Sequence, residues 1–339
     1  MAGRIPFKAH DSPCLIGIIP AFDWLMEFIR GLTNLRRQKQ PCVATIGNFD
    51  GGHLGHQAVL AQLKQHAAEA ELISAVMIFE PQPIEFFSPE KAPSRLTRLR
   101  EKLQLLEQQQ LDRVVCLKFD QALAQLSAAE FVRDILVESL AVKKLIIGDD
   151  FRFARNREGD YAYLQQAGRE HGFDVVNTAS FNADDERVSS TLIRQALAEG
   201  DMQKATRLLG RPYRIHGRVV HGDKRGRQIG FATANIELHR YQSPVSGIFS
   251  GRVHGIGDTA LDAVIYVGSK PVYNGNRITL EVHILDFDEA LYGRYLEVEF
   301  REKIRGDSQF ESEAALIEQI TLDIEAARQS LAKLEETDS

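Results

Sequence analysis

From about residue 43 to residue 207 the chain alternates short apolar runs with longer stretches of helical period. The runs 43–46, 73–79, 113–119, 144–148 and 173–178 are short and rich in Val and Ile, and they read as β-strands. Between them, 55–71 carries Val59, Leu63 and Ala67 at spacings of four, and 98–110 carries Leu99, Leu103 and Leu106. The stretch 127–140 opens on Ser127, whose hydroxyl suits an N-cap. Strands alternating with helices predict a parallel sheet covered on both faces, an α/β unit. In such sheets ligands sit at the carboxyl ends of strands, beside helix N-termini.

Beyond Gly210 the period changes. The runs 213–221, 247–254, 263–268, 278–285 and 295–300 are strand-like and separated by Gly, Asp and Asn turns. Leu296, Val298 and Phe300 alternate with Glu297 and Glu299, the pattern of a half-buried strand. Strands in series predict a small antiparallel β-barrel. A closing helix from about Ser312 aligns Leu316, Ile320, Ile324, Ala327 and Leu331 in one apolar stripe. The boundary between the two units is placed at Gly210-Arg211-Pro212, where Gly and Pro end the last helix of the first unit.

Composition narrows the class. The 339 residues are enough for about two domains, and 44% hydrophobic with 26% charged residues excludes global disorder. Forty-one basic against 47 acidic side chains give a net charge of −6, which argues against a nucleic-acid partner. The three cysteines, Cys14, Cys42 and Cys116, form no C-x-x-C pair and fit a reducing, cytoplasmic setting. No window approaches the roughly 20 apolar residues of a membrane span, because Pro20, Asp23 and Glu27 interrupt the nearest candidate. Arg4 and Lys8 ahead of the apolar run from Cys14 are weakly leader-like, without a small-x-small site after them. Nothing in the sequence bears on oligomeric state.

Three constellations in the first unit suggest phosphate chemistry. In Thr45-Ile-Gly47-Asn48-Phe49-Asp50-Gly-Gly52-His53-Leu-Gly-His56, a strand runs through a glycine-dense turn into a helix. Small residues admit a ligand to the backbone, and the helix N-terminus offers free N–H groups and a positive dipole. His53 and His56 can stabilise charge developing on a transferring phosphoryl group, and a metal site is the alternative reading. Gly148-Asp149-Asp150-Phe-Arg-Phe153 brings Asp150 to the same sheet edge, unless the pair serves only the turn. Ser189, Ser190 and Thr191 open a helix one turn before Arg194, a set that can cap the helix or cradle a triphosphate.

With these residues and Phe79-Glu-Pro-Gln-Pro83, the chain resembles the H-x-G-H adenylyltransferase superfamily, and within it the bacterial bifunctional riboflavin kinases/FMN adenylyltransferases (FAD synthetases). The resemblance runs from about Met26 to the C-terminus. It implies a Rossmann-like nucleotidyltransferase domain over 26–210, then a small antiparallel β-barrel flavokinase domain with a C-terminal helix over 211–339. Residues 1–25, with Trp24, match neither unit and are expected to be a poorly ordered, dispensable extension. The implied substrates are ATP and riboflavin, then ATP and FMN, giving FAD, with Mg²⁺ as cofactor and no membrane or nucleic-acid partner. His53, His56 and Arg194 would be catalytic in adenylyl transfer. Gly47, Asn48, Phe49, Asp50, Asp150, Ser189, Ser190 and Thr191 would bind its substrates.

The second half is similar to the flavokinase pattern. In His221-Gly222-Asp-Lys224-Arg-Gly226-Arg-Gln-Ile-Gly230-Phe-Ala-Thr233-Ala-Asn235 the glycines form no Walker A motif, since no Gly-Lys-Ser/Thr follows. The resemblance makes Gly222, Lys224, Gly226 and Gly230 part of a nucleotide loop, and Thr233 and Asn235 ligands of Mg²⁺. Leu280, Val282 and Ile284 point one way along their strand, so Glu281 points the other. The resemblance makes Glu281 the base for the riboflavin 5′-hydroxyl and leaves His283 structural. Gly52, Ala154, Ala232 and the stretch 268–275 depart from the family's usual residues. The last two motivate an alternative, a monofunctional FMN adenylyltransferase with a degenerate kinase unit. A non-catalytic flavin-responsive regulator is the reading from another class, and the joint presence of His53, His56 and Glu281 weighs against it.

Overall fold

A computed structural model describes residues 26–178, 182–183, 186–222, 229–238, 242–272 and 275–338. The expectation for residues 1–25 lies outside them. The first unit runs β1 (Glu27–Arg30), α1 (Leu32–Arg37), β2 (Cys42–Ile46), α2 (Leu54–Glu69), β3 (Ile73–Glu80), α3 (Pro83–Phe87), α4 (Leu99–Gln108) and β4 (Arg113–Lys118). It continues with α5 (Gln121–Ala124), α6 (Ala128–Glu130), β5 (Val142–Ile147), α7 (Tyr161–His171) and β6 (Asp174–Asn177). These six strands form one parallel sheet in the order β1-β4-β3-β2-β5-β6. From β2 the chain winds one way through β3 and β4, then returns to place β5 on the other side of β2. The crevice at such a reversal is where parallel α/β sheets take their ligands, and here it lies between the ends of β2 and β5.

All five strands read from the sequence are present, with ends shifted by up to two residues. The edge strand β1 is additional: four residues, Glu-Phe-Ile-Arg, are too few to show a period, and only Ile29 of them is fully buried. The helix expected over 127–140 begins on Ser127 as an N-cap, but after α6 it widens into π-type turns over Phe131–Val137. In α2 the buried stripe is Leu60, Leu63 and Ala67; Val59, expected in it, is only half-buried.

A short hairpin, β7 (Asn182–Ala183) with β8 (Glu186–Arg187), leads to α8 (Ser190–Glu199) and α9 (Met202–Leu209). Then β9 (Tyr213–Val220), β10 (Ala234–Glu237), β11 (Gly247–His254), β12 (Leu261–Val272), β13 (Gly275–Ile284) and β14 (Tyr295–Arg305) close an antiparallel barrel, and α10 (Glu313–Asp338) follows. Its order is β10-β13-β12-β11-β14-β9. Ile265, Val282, Leu296, Val298 and Phe300, each 0% exposed, fill the interior. Glu299, read from alternation as the exposed half of its strand, is instead buried against Arg214, His254 and Arg301.

The two units share packing across the chain junction. Ile193, Leu197, Leu208 and Leu209 of α8 and α9 belong to the same hydrophobic cluster as the barrel interior. The Glu101 carboxylate of α4 accepts the His216 N–H of β9 at 3.0 Å, and the Tyr213 hydroxyl donates to the Leu96 carbonyl at 3.2 Å.

Ala154 stands at φ 65°, ψ −177°, a backbone region open to glycine and costly for any residue with a Cβ. Glycine at this position removes that strain at some cost in unfolded-chain entropy. Ala154→Gly should therefore raise the unfolding free energy by about 1 kcal/mol in urea titrations; a loss of stability would contradict the assignment of strain.

Candidate active sites

The glycine turn after β2 delivers both histidines to the sheet reversal. His53 is the N-cap of α2, and its Nδ1 accepts the His56 N–H at 3.2 Å, which leaves the ring proton on Nε2. The two imidazoles stack with centroids 3.6 Å apart. Gly55 permits this, since a Cβ there would sit 3.2 Å from the His53 ring. Burial drives the His53 pKa down to about 4 against the pull of Asp50, and Arg211 and Arg194 push the same way as burial. His56 lies well below the ordinary imidazole value because of burial, then His53 and Lys102. Near neutral pH the pair is therefore uncharged, a source of N–H donors and not of imidazolium. Among the described residues, no group of three or more His, Cys, Asp or Glu side chains is placed to hold a metal.

Asp50 does not face the crevice as expected of a substrate-binding residue. It is 3% exposed, and its carboxylate accepts from the Leu96 N–H at 3.1 Å, the Thr97 N–H at 2.9 Å, the Thr97 hydroxyl and Arg194. Arg194, expected among the catalytic residues, has its guanidinium on Asp50 and on the Ser94 carbonyl at 2.6 Å. A buried carboxylate needs such partners, and here the need fixes the turn to α8. Ser189 caps α8 by accepting the Leu192 N–H, and the Ser190 hydroxyl donates to the Asp50 carbonyl at 2.8 Å. Thr191 and Asn48 are exposed, Gly47 is half-buried, and the buried Phe49 ring lies 5.0 Å from His56. At the end of β5, Asp150 is exposed and pairs with Arg187 at 3.3 Å. Arg187 received no role from the sequence; its contact with Asp150 spans 37 residues and has no local signature.

An aromatic cluster also escaped the sequence reading. Phe79 near the end of β3, Phe86, Phe87 and Phe119 just after β4 make edge-to-face contacts at 5.3–5.7 Å, and Phe87 is 62% exposed. The signal was the unusual Phe86-Phe87 pair in a polar stretch.

On the barrel, Asn235 of β10 pairs with Glu281 of β13, which pairs in turn with Tyr266 of β12. Leu280, Val282 and Ile284 are buried at 1%, 0% and 3%, so this polar row is on the outer face, as alternation predicted. Burial, then Asp307, which accepts the Tyr266 hydroxyl at 3.1 Å, then Glu281 raise the Tyr266 pKa to about 12. A Cβ on Gly222 would stand 2.3–2.5 Å from the Asn235 side chain, so glycine lets the loop backbone press on that amide. His283 Nδ1 donates to the Ala232 carbonyl at 2.8 Å, a structural tie that fastens the segment bearing Thr233 to β13. Gly230 adopts φ 93°. Lys224 and Gly226 fall outside the described residues.

Fold and sites together define a two-unit phosphotransfer protein, with a Rossmann-like first unit and a barrel second unit. Residues 35–192 match the FAD synthetase family and residues 209–331 the riboflavin kinase family. The chain is 49% identical over 305 residues to the bifunctional riboflavin kinase/FMN adenylyltransferase of Escherichia coli K12, covering 90% of this chain and 97% of that one. It is 48% identical to the Haemophilus influenzae protein of the same name, covering 89% and 98%. A solved structure described as a macrolide-efflux protein from Streptococcus pneumoniae superposes with a TM-score of 0.76 at 28% identity, covering 89% of this chain and 99% of that one. The chain belongs to the bifunctional riboflavin kinase/FMN adenylyltransferase family. Matches over both units favour two activities over the single-activity alternative.

The depressed His53 pKa makes stability pH-dependent. The unfolded imidazole titrates near 6.5 and the folded one near 4, so between these values the unfolded chain binds the extra proton. The native state is therefore unpenalised above pH 6.5 and loses stability as pH falls towards 4. His53 should cost about 2 kcal/mol at pH 5 relative to pH 7. Urea unfolding of His53→Asn, which keeps an N-capping side chain, should show a correspondingly flatter pH dependence; an unchanged slope would refute the assignment.

Proposed function

We propose that the chain phosphorylates riboflavin to FMN with ATP on the barrel, and adenylylates FMN to FAD at the turn before α2. The observation that carries this reading is the separation of two sites of different chemistry: an uncharged histidine pair on a helix N-terminus, and Glu281 beside Asn235 on the outer barrel face. Residues 26–210 are assigned to adenylyl transfer and 211–339 to phosphorylation.

In adenylyl transfer an FMN phosphate oxygen forms a bond to the α-phosphorus of ATP, and the bond to the β-phosphate bridging oxygen breaks, releasing pyrophosphate. A phosphate monoester is largely deprotonated near neutral pH, so positioning and charge stabilisation matter more than a base. Nε2–H of His53, the His56 ring and the N-terminus of α2 supply donors, and the Thr191 hydroxyl adds another. Asp50, Arg194, Ser189 and Ser190 act as positioning residues. Gly47, Asn48 and Phe49 form the wall against the nucleotide, with Asp150 and its partner Arg187 at its edge. The exposed Phe87 ring offers a stacking surface for the planar flavin.

In phosphorylation Glu281 takes the proton of the riboflavin 5′-hydroxyl as its oxygen attacks the γ-phosphorus and ADP leaves. Gly222 and Gly230 flank the loop assigned to the nucleotide, with Lys224 and Gly226 within it. The Thr233 hydroxyl and Asn235 amide oxygens are the hard donors that suit Mg²⁺, and the pressure of Gly222 on Asn235 limits where that amide can turn. Mg²⁺ bound there would neutralise ATP phosphate oxygens. The buried, unpaired thiols of Cys42 and Cys116 favour a cytoplasmic location.

Two variants separate the sites. His56→Ala should lower FAD formation from FMN by about 100-fold or more while riboflavin is still converted to FMN. Glu281→Ala should lower FMN formation by about 100-fold or more and leave adenylylation of supplied FMN intact. Product chromatography with each flavin decides; if either substitution silenced both reactions in folded protein, the two-site assignment would fall.

A further inference from the structure

Between α2, α4 and the linker at Gly210 and Arg211 lies a cavity of about 190 Å³. Its polar walls come from His56, Gln57, Lys102, Gln108, Gln109 and Arg211, and no carboxylate is among its lining residues. Lys102 is 1% exposed, and its Nζ is buried without a hydrogen-bond partner. Asp50 and Glu80 lie close enough to act on it electrostatically, yet both are committed elsewhere. Asp50 serves Leu96, Thr97 and Arg194, and Glu80 receives Arg95 at 3.1 and 2.8 Å. The His56 Nδ1 is likewise buried and unpartnered. Arg211 donates to the Gly51, Gly52 and Leu209 carbonyls and brings a second positive charge to the wall.

Burial holds the Lys102 pKa below the ordinary lysine value. A buried amine nitrogen without a hydrogen-bond partner is costly whether or not it is charged, so nearly every such group in a folded protein finds a partner. The space holds several water volumes at about 30 Å³ each, enough for a small anion with several oxygens. Two basic side chains, the Gln108 and Gln109 amides and no negative side chain make an oxyanion receptor; the Gln57 amide nitrogen is spent on the Gly52 and Leu209 carbonyls. We propose that this cavity binds a phosphate-class oxyanion, held by Lys102, in a seat that shares Phe49 and His56 with the proposed nucleotide site and stays available when ATP is bound. Pyrophosphate from adenylyl transfer and free inorganic phosphate share this chemistry. The proposed function bears only on which of them fills the seat.

The test uses the full chain saturated with a non-hydrolysable ATP analogue and titrated calorimetrically with pyrophosphate and, separately, with inorganic phosphate. The wild type should bind one further anion per chain. Lys102→Met should weaken that binding on the order of tenfold or more, the value of a charge-assisted contact. At the exposed position 108, Gln108→Glu should weaken binding and Gln108→Lys should strengthen it; this pair carries the test if circular dichroism shows Lys102→Met unfolded. Tighter binding of pyrophosphate marks the reaction product as occupant, and tighter binding of phosphate marks the free ion. Absence of binding to the analogue-saturated wild type, or equal affinity across folded variants, overturns the proposal. FAD formation by the same wild-type preparation is assayed separately, so a failure of the proposed function appears as lost turnover, whatever the titration shows.

Discussion

The arrangement of the first site depends on one buried carboxylate. Asp50 stands inside the protein with four donors on its two oxygens: the backbone of Leu96 and Thr97, the Thr97 hydroxyl, and Arg194. An ionised carboxylate at that depth is tolerable only if such donors are in place, and removing any one exposes the rest to a desolvation penalty. The donors come from the loop before α4 and from α8, about 46 and 144 residues away in sequence. The Gly51 N–H donates to the Thr97 hydroxyl at 2.9 Å, and Gln57 and Arg211 hold the Gly52 carbonyl. The glycine turn is thus fastened from four directions, although its own residues have little intrinsic rigidity. Stacking of His53 on His56 at a fixed place on the sheet edge follows from that fastening.

The same constraint reaches the barrel. The loop 94–97 that serves Asp50 ends at the start of α4, where Glu101 takes an N–H from β9 and Leu96 takes the hydroxyl of Tyr213. The Arg100 guanidinium lies 4.1 Å from the centre of the Tyr295 ring of β14. With α8 and α9 sharing the barrel's hydrophobic cluster, the two units are joined by packing and by hydrogen bonds to main-chain atoms, not by a flexible tether. Each site nevertheless faces its own solvent: one at the strand ends of the parallel sheet, the other on the outer barrel wall.

What the sequence reveals and what it conceals divide along the range of the interactions. The turn from β2 to α2, the Ser127 and Ser189 caps and the outward direction of Glu281 depend on neighbours within a few residues, and each was legible. The closed barrel followed from alternation, although β10, four residues long, was too short to read as a strand. Asp50 and Arg194 were legible as chemistry but misplaced as contacts, because a motif records that a charged pair is needed and not that the two charges face each other. Lys102 sits in an amphipathic helix where lysine ordinarily marks the solvent face; only the approach of α2 and the linker to that helix reveals that it is buried. Glu299 was misread for the same reason, since period-2 alternation cannot say whether another element covers the polar face.

The distribution of charge between the sites follows from the protons each reaction must move. Phosphorylating a hydroxyl requires that a proton leave with the bond change, which is the part proposed for Glu281 on the outer barrel face. Joining two phosphates moves no proton; the difficulty is mutual repulsion of anions. An imidazolium pair would relieve that repulsion but would also bind either substrate tightly in its ground state, which contributes nothing to the rate of bond exchange. Burial of His53 and His56 holds them neutral, so in the proposed reaction their N–H groups and the dipole of α2 would act on charge as it shifts in the transition state. The full positive charges nearby are withdrawn from the reacting atoms: Arg194 onto Asp50, and Arg211 onto the carbonyls of the turn. Near neutral pH the turn before α2 therefore presents oriented dipoles towards the proposed reaction centre, with Arg194 and Arg211 one layer back, where they hold the dipoles in place.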